Sequence, residues 1–512
     1  MSRVRSRTEK AFINTVTSAL QELVQLACGL ILPRIILHTF GSSYNGITSS
    51  ASQFLSGVSI LTFGLAGSTR VALYKSLAEH DLAKTSAYVK AMERYMRKIG
   101  LVLIAVLVVL TVVYPLVVET GYSWIEVAPL IVAAGISASG RYFFGSSINA
   151  LIAADQSVYI SNILSMIANI LNVVVSVILI RIGCGIQIVK FVSSLVLLMN
   201  PIVRSMYVRR KYHLDTHCKP DNSAMKMRRH VLGHSIANMV HDHTDVLVLT
   251  IFCNVKIVSV YTTYNLVMKV LNRTQRVFTT GVEAVFGSMW VRGETEKMER
   301  TLGVYEYILG VVVSTIFAST LVLILPFISL YTKGVNDEQY ILPVYAMVIT
   351  IAQMFFCFRT PYLTVGHALG RYKETKNGAY LEAAINLGLS VLLVQFIGIV
   401  GVAVGTLVAN IFRTVQYAVY IDNHVAKRGK QVFIFRILWA SFNTAVLYFL
   451  LNPIVSSYAY TGWIYWIAMG ALTLVGSLVI TAASSLIFYR NDMQEMIQLL
   501  KGKIFHVRKR RI

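Results

Sequence analysis

Apolar runs of about twenty residues recur along the chain, separated by short polar stretches. They fall near 14–37, 48–72, 99–118, 127–150, 159–180, 186–207, 231–252, 257–276, 303–329, 341–363, 376–397, 402–421, 433–451 and 462–488. At 1.5 Å per residue, about 20 residues in a helix cross the ~30 Å hydrocarbon layer of a bilayer. Backbone polar groups in lipid must be satisfied within their own element, so runs of this length are helices and not barrel strands. The pattern predicts an all-α polytopic membrane protein with about fourteen transmembrane helices. Composition agrees: 512 residues are 55% hydrophobic and 14% charged, with a mean hydropathy of +0.62, above the range of soluble domains.

Charge adds orientation. Basic residues crowd into alternate connections: Arg3, Arg5 and Arg7; the 75–98 linker; 209–211; 226–229; 427–430; and 508–511. The opposite loops hold only Arg181, Lys256 and Lys333. The asymmetry places both termini in the cytoplasm and requires an even number of spans. The formal net charge of +23 is then accounted for by topology and contact with anionic lipid, and nucleic-acid binding is a poor reading of it. The basic N-terminus precedes a run too long for a signal peptide, interrupted by Gln21, Glu22 and Gln25, so it reads as a retained first helix. Five cysteines without a C-x-x-C imply neither a metal site nor a disulfide framework.

The chain also repeats. Asn172 begins NVVVSVILIRIG and Asn386 begins NLGLSVLLVQFIG; both segments reach a glycine turn and then another apolar run. Arg141 and Arg359, and Pro129 and Pro343, hold matching places in earlier spans. Two parallel, pseudo-symmetric six-helix lobes follow, 1–215 and 231–425, an arrangement that transporters use to place a substrate site between lobes. A loop over 216–230 joins them, two further helices occupy 426–490, and 491–512 forms a basic amphipathic tail on the cytoplasmic side.

Ionisable groups inside such spans cost several kcal/mol against lipid and are functional candidates by default. His234, Asn238, His241 and Asp245 fall within about 60° of helical arc, with Asp242 at the margin and His243 opposite. On the next span Asn265, Lys269, Asn272 and Arg276 stand at i, i+4, i+7 and i+11, with Arg273 beside them. Asn14, Gln21 and Gln25 form a similar stripe on the first span, flanked by Glu22, and Arg34 and Arg70 belong to spans one and two. Duller readings stand beside these. His241 and Asp245 suit a packing hydrogen bond, and Arg276 suits snorkelling, although Lys269 lies about 18 Å into its span. A zinc site lacks a third convergent ligand. Within the spans Arg34, Arg70, Arg141, Lys190, Lys269, Arg273, Arg359 and Arg413 outnumber Glu22, Asp242, Asp245 and Glu382. A net cationic interior favours an anion, above all phosphate, which arginine grips with two N–H groups.

Residues 370–421, HTDVLVLTIF at 243–252, VYTTYNLV at 260–267, FGSSYNGI near the N-terminus and GLAGSTRVALYKSLAEHD ending at Asp81 resemble the bacterial polysaccharide transporters. These are lipid-linked oligosaccharide flippases of the O-antigen and capsule type, in the multidrug/oligosaccharidyl-lipid/polysaccharide exporter superfamily. The resemblance runs in order through essentially the whole chain. It implies a MATE-like pair of six-helix lobes around a central cavity, with spans 13 and 14 appended. It also implies flipping of an undecaprenyl-pyrophosphate-linked repeat unit across a bacterial cytoplasmic membrane by alternating access, without covalent chemistry or a cofactor. Arg34, Arg70, Lys269 and Arg273 match spans whose basic residues line that cavity, with Gln21, Gln25, Asn265 and Asn272 as further substrate-binding candidates. Asp245 matches the family's seventh-span aspartate, and Glu22, His241 and Asp245 are the candidates for coupling to H+ or Na+. Implied partners are the lipid-linked sugar, membrane lipids and the polysaccharide polymerase machinery. Rival readings are a multidrug exporter on the same fold, expected to carry an acidic or aromatic cavity, and a polytopic polymerase or ligase, for whose active site the short outer loops leave little room.

Overall fold

The computed structural model describes residues 7–62, 65–215, 217–223, 243–279, 281–426, 428–429 and 431–498. The described chain is helical, without a strand. By packing it divides into two compact units: Met1–Thr262 with Gly334–Glu338, and Thr263–Lys333 with Gln339–Ile512.

The first unit contains α1 (Arg7–Phe40), α2 (Ser42–Ser56), α3 (Leu65–Ala78), α4 (Leu82–Val117), α5 (Trp124–Gly140), α6 (Ser146–Ala154), α7 (Val158–Arg181), α8 (Ile186–Lys211) and α9 (His243–Phe252). The helix α10 (Val255–Thr279) begins in it and continues into the second unit. There α11 (Val282–Val291), α12 (Thr295–Tyr331), α13 (Pro343–Phe358), α14 (Thr360–Ala368), α15 (Tyr372–Ile397), α16 (Ile399–Ile421), α17 (Gln431–Tyr458) and α18 (Trp463–Phe488) follow.

Among the described residues eleven helices are long and apolar enough to cross a membrane, and the bent pair Ser42–Thr62 with Gly67–Ala78 makes a twelfth. The protein is a multi-pass membrane protein. Of the fourteen expected spans, the seventh is described only from His243. The eighth, α10, is a full helix that carries Lys256, Lys269 and Arg273 as well as Asn265 and Asn272, and this polar content is what sets it apart from the rest. The basic linker expected over 75–98 is mostly helix. Asp81 caps α4, its carboxylate accepting the Lys84 N–H at 2.9 Å, so the helix starts well before the apolar run.

Apolar residues cover the surface as well as fill the core, and some helix contacts are made by small polar residues. On α18 the wholly buried positions are Thr473, Ser477, Thr481 and Ser485, while Ile464, Val475, Val479 and Ile487 are exposed. Lipid is as apolar as leucine, so small residues that let helices approach closely are what membrane helices bury; this stripe belongs to a helix that packs on α12. Gly46 on α2 shows the same economy of space. A Cβ there would lie 1.7 Å from the Val255 carbonyl oxygen, a backbone atom that cannot swing aside. Gly46→Ala is expected to abolish the folded protein, read as loss of the monodisperse peak after detergent extraction.

The internal repeat is structural. In the first unit α5 packs on α8, α7 on α8, and α3, α4 and α6 on one another; in the second α13 packs on α16, α15 on α16, and α11, α12 and α14 on one another. The left-handed turn residues pair off: His80 with Gly293, Gly121 with Gly334, Gln156 with Gly370, and Gly183 with Gly398. The two members of each pair are separated by nearly the same length of chain, so the same turns recur in the same order. Asn172 and Asn386 are both buried, the first accepting from Ser193 Oγ at 2.5 Å and the second donating to Thr406 Oγ1 at 3.0 Å. Ser194 and Asn410 each donate to a carbonyl of the crossing helix, Ala133 at 2.6 Å and Ala352 at 3.0 Å. Arg141 and Arg359 mark a break in equivalent spans: a π segment, Arg141–Gly145, joins α5 to α6, and Arg359 separates α13 from α14.

Candidate substrate and ion sites

In the first unit the polar stripe of α1 divides by task. Asn14 accepts the Tyr159 N–H at 2.9 Å and donates to the Gln156 carbonyl at 2.7 Å, capping the start of α7. Thr17 and Ser18 take the Asn162 amide at 3.3 and 2.9 Å. That end of the stripe holds helices together. Further along, Gln21 donates to Gln25 at 2.9 Å on an exposed face, and Glu22 is exposed beside them. Arg34 is half-buried, and Arg70 is exposed on α3, next to the buried face formed by Thr69, Leu73 and Ser76.

Asp245 is buried and accepts the Tyr261 hydroxyl at 3.2 Å. Nearer the N-terminus of α9, His243 pairs through Nδ1 with Gln53 Oε1 at 2.7 Å, and Asn45 donates to Ser259 at 2.7 Å. Asp245 thus bonds across from α9 to α10, while His243 and Ser259 tie α9 and α10 to α2. His234, Asn238, His241 and Asp242 lie outside the described residues. Among the described residues no three His, Cys, Asp or Glu side chains converge as metal ligands.

In the second unit α10 buries Tyr264, Met268 and Leu271. The tyrosine hydroxyl ties the helix to the entry of α13, donating to the Tyr340 carbonyl at 2.9 Å and accepting the Leu342 N–H at 3.2 Å. The far side presents Arg273, half-buried, and Lys269, exposed, with Asn265 and Asn272, both half-buried, on the flank between. Asn272 accepts from Gln353 of α13, a partner absent from the sequence-level candidates. The Arg276 side chain lies outside the described residues.

Two arginines counted among the interior cations are tied off. Arg359 and Arg413 both bind Glu382, at 2.7 and 3.3 Å, and all three are buried. Arg413 also donates to the Thr375 carbonyl at 2.9 Å and lies 4.3 Å over the Tyr417 ring. The cluster joins α13, α15 and α16, so these two guanidinium groups hold helices together and are withdrawn from the candidates for binding phosphate.

Three ionic clusters have no counterpart in the sequence reading. Asp155, in the turn between α6 and α7, takes Lys10 at 3.1 Å, Ser157 at 2.5 Å and the Tyr212 hydroxyl at 2.5 Å. Burial pushes its carboxyl upward, but the bonds from Ser157, Tyr212 and Lys10 outweigh that and hold it below the ordinary carboxylate value. A depressed carboxylate contributes stability above the unfolded pKa of about 3.9 and loses it as pH falls through the folded value. Asp155→Asn is expected to lower the melting midpoint by about 5 °C at pH 7, with the gap closing as the medium is acidified below the ordinary carboxylate range. Scanning fluorimetry across pH reads this. The second pairs Glu93 with Arg209 within the first unit, and the third pairs Glu306 with Arg428 and Arg436 within the second; aligning the chain with itself in the register of the repeat is the signal that finds the two glutamates.

No family model and no curated protein matches the sequence. Solved structures do match. The chain superposes on the lipid II flippase MurJ in its inward closed conformation with a TM-score of 0.64 at 14% identity, over 94% of this chain and 99% of that one. It superposes on an inward-facing multidrug resistance MATE family transporter of the MOP superfamily with a TM-score of 0.58 at 15% identity, over 85% and 98%, and on the Vibrio cholerae MATE transporter VcmN with 0.50 at 14%, over 83% and 98%. The chain has their fold. At these identities the likeness establishes architecture alone, and the all-α, two-repeat membrane architecture expected from the sequence is the one observed.

Proposed function

We propose that this protein is a flippase of the bacterial cytoplasmic membrane. It would carry an undecaprenyl-pyrophosphate-linked oligosaccharide from the inner to the outer leaflet by alternating access, with both termini in the cytoplasm. The observation that carries the reading is the polar side of α10, half-buried to exposed, where Lys269 and Arg273 alternate with Asn265 and Asn272. Arg34 and Arg70 supply cationic charge in the first unit. The fold shared with a lipid II flippase, over more of this chain than the fold shared with the MATE transporters, supports the same reading.

The head group brings negative phosphates and many hydroxyls, and leaving water costs it hydration. Arginine and lysine offset that cost through charge-assisted hydrogen bonds, and the amides serve the sugar hydroxyls. The polyprenyl tail stays in lipid. Outward movement of a negative head group is favoured by a negative interior at about 2.3 kcal/mol per charge per 100 mV, and the emptied basic faces are drawn back by the same field. Asp245, held by Tyr261, together with Glu22 and His241, would couple H+ or Na+ to the return. Partners follow from the substrate: membrane lipid, and a polysaccharide polymerase that consumes the flipped unit.

Reconstituted protein should move a fluorescent undecaprenyl-pyrophosphate disaccharide to the far leaflet of proteoliposomes, faster with an inside-negative potential imposed in the cytoplasmic sense. Transport of an organic cation in place of this probe would instead favour the multidrug reading.

A further inference from the structure

Glu93 on α4 and Glu306 on α12 occupy the same register of the repeat, the register that also relates Lys84 to Lys297. Over residues 82–97 those two positions alone are identical between the copies. Both glutamates are buried. Glu93 takes Arg209, in the last turn of α8, at 2.5 Å, and the Ser147 hydroxyl of α6 at 3.4 Å. Glu306 takes Arg428, just past α16, whose Nε reaches Asp422 at 2.6 Å. Each repeat therefore fastens its third span to the point where the chain leaves its sixth.

Buried ion pairs give little net stability over a well-packed apolar replacement, and their best-attested use is to specify one arrangement. The glutamates share the register while their arginines come from places six residues apart in it, Arg209 falling opposite Asp422, so what recurs is the tie between the third span and the end of the sixth. The second copy goes further. Arg436 of α17 approaches Glu306 at 3.3 Å and Asp492 of the helix over 490–498 at 3.4 Å, and Tyr489 lies against Tyr307 and Trp439. The helices that the first repeat lacks are joined to the same glutamate.

We propose that Glu93–Arg209 and Glu306–Arg428 are positioning ties that make the third span and the end of the sixth move together in each repeat during translocation, and that α17 and the helix over 490–498 are fastened to α12 through Arg436 and Asp492. This rests on the transporter reading for its role in turnover, but not for the tie itself.

The test uses the full-length protein in lipid nanodiscs and proteoliposomes. Hydrogen exchange is followed by mass spectrometry well below the melting midpoint. In Glu306→Gln, amides of the first turns of α12 and of 428–436 should exchange at least tenfold faster together, with the first unit unchanged. In Glu93→Gln, the first turns of α4 and the end of α8 should respond the same way, and the swap Glu93→Arg with Arg209→Glu should return them to within threefold of the parent. Asp492→Asn should loosen 490–498 and 428–436 together. Turnover of the fluorescent undecaprenyl-pyrophosphate disaccharide should fall at least fivefold in both glutamine variants while its binding changes less than twofold. Exchange confined to the altered helix, or a swap that restores nothing, overturns the tie; unchanged turnover in a variant with raised exchange overturns its role in transport. If Glu306→Gln does not fold, the more open Glu93 pair decides alone. A parent protein that moves no probe rejects the flippase reading, whereas exchange still decides the tie.

Discussion

Arg273→Ala is expected to reduce translocation of an undecaprenyl-pyrophosphate-linked probe by about 10- to 100-fold, with expression, membrane insertion and melting midpoint close to the parent. A hydrogen bond to a charged group contributes about 1.5–3 kcal/mol, and each 1.4 kcal/mol is a factor of about ten. Arg273 is half-buried on the face of α10 opposite Tyr264, Met268 and Leu271, so its loss removes charge from the proposed binding face without opening a cavity in the core. Arg273→Lys should recover part of the activity, because charge remains while the two-pronged grip on phosphate is lost. Arg70→Ala, on the exposed side of α3, should behave similarly. Full activity in both alanine variants, measured at equal protein density in proteoliposomes, would reject the assignment of these residues to the head group.

Glu382→Gln is expected to have the largest effect on the fold itself. Glu382 is the shared partner of Arg359 and Arg413, and all three are buried. Removing its charge leaves two guanidinium groups facing each other without this counter-ion, a change that costs about 3–5 kcal/mol when one partner of a buried pair is lost. For a unit of this size the drop in melting midpoint is on the order of 10 °C. Arg413→Gln should be milder, since one arginine still balances Glu382. A midpoint for Glu382→Gln within about 2 °C of the parent would show that the cluster is not needed to hold α13, α15 and α16 together.

The same residues show what reading along the chain can and cannot reach. Helix periodicity places Asn265, Lys269, Asn272 and Arg273 on one face of α10, because angular position on a helix depends only on spacing. A count of charges within spans is less informative: it treats Arg359 and Arg413 as available cations, yet both are spent on Glu382, a partner on a different helix from either. Asn14 shares its stripe with Gln21 and Gln25 but is used to cap α7, since the turn at Gln156 folds back onto that end of α1. Nothing local distinguishes Gln353 from any other glutamine in an apolar span; only the packing of α13 brings it to Asn272.

Sequence alone determined that this chain crosses a membrane many times as helices, that it is built twice, and which faces of α1 and α10 are polar, since bilayer thickness, backbone hydrogen bonding and the 3.6-residue turn leave few alternatives. Tertiary structure decided which of the buried arginines are consumed within the fold. Whether an arginine is a ligand for phosphate or half of an internal pair depends on which distant helix packs beside it, and that is settled by the packing of side chains remote in sequence, as with Arg359 and Arg413.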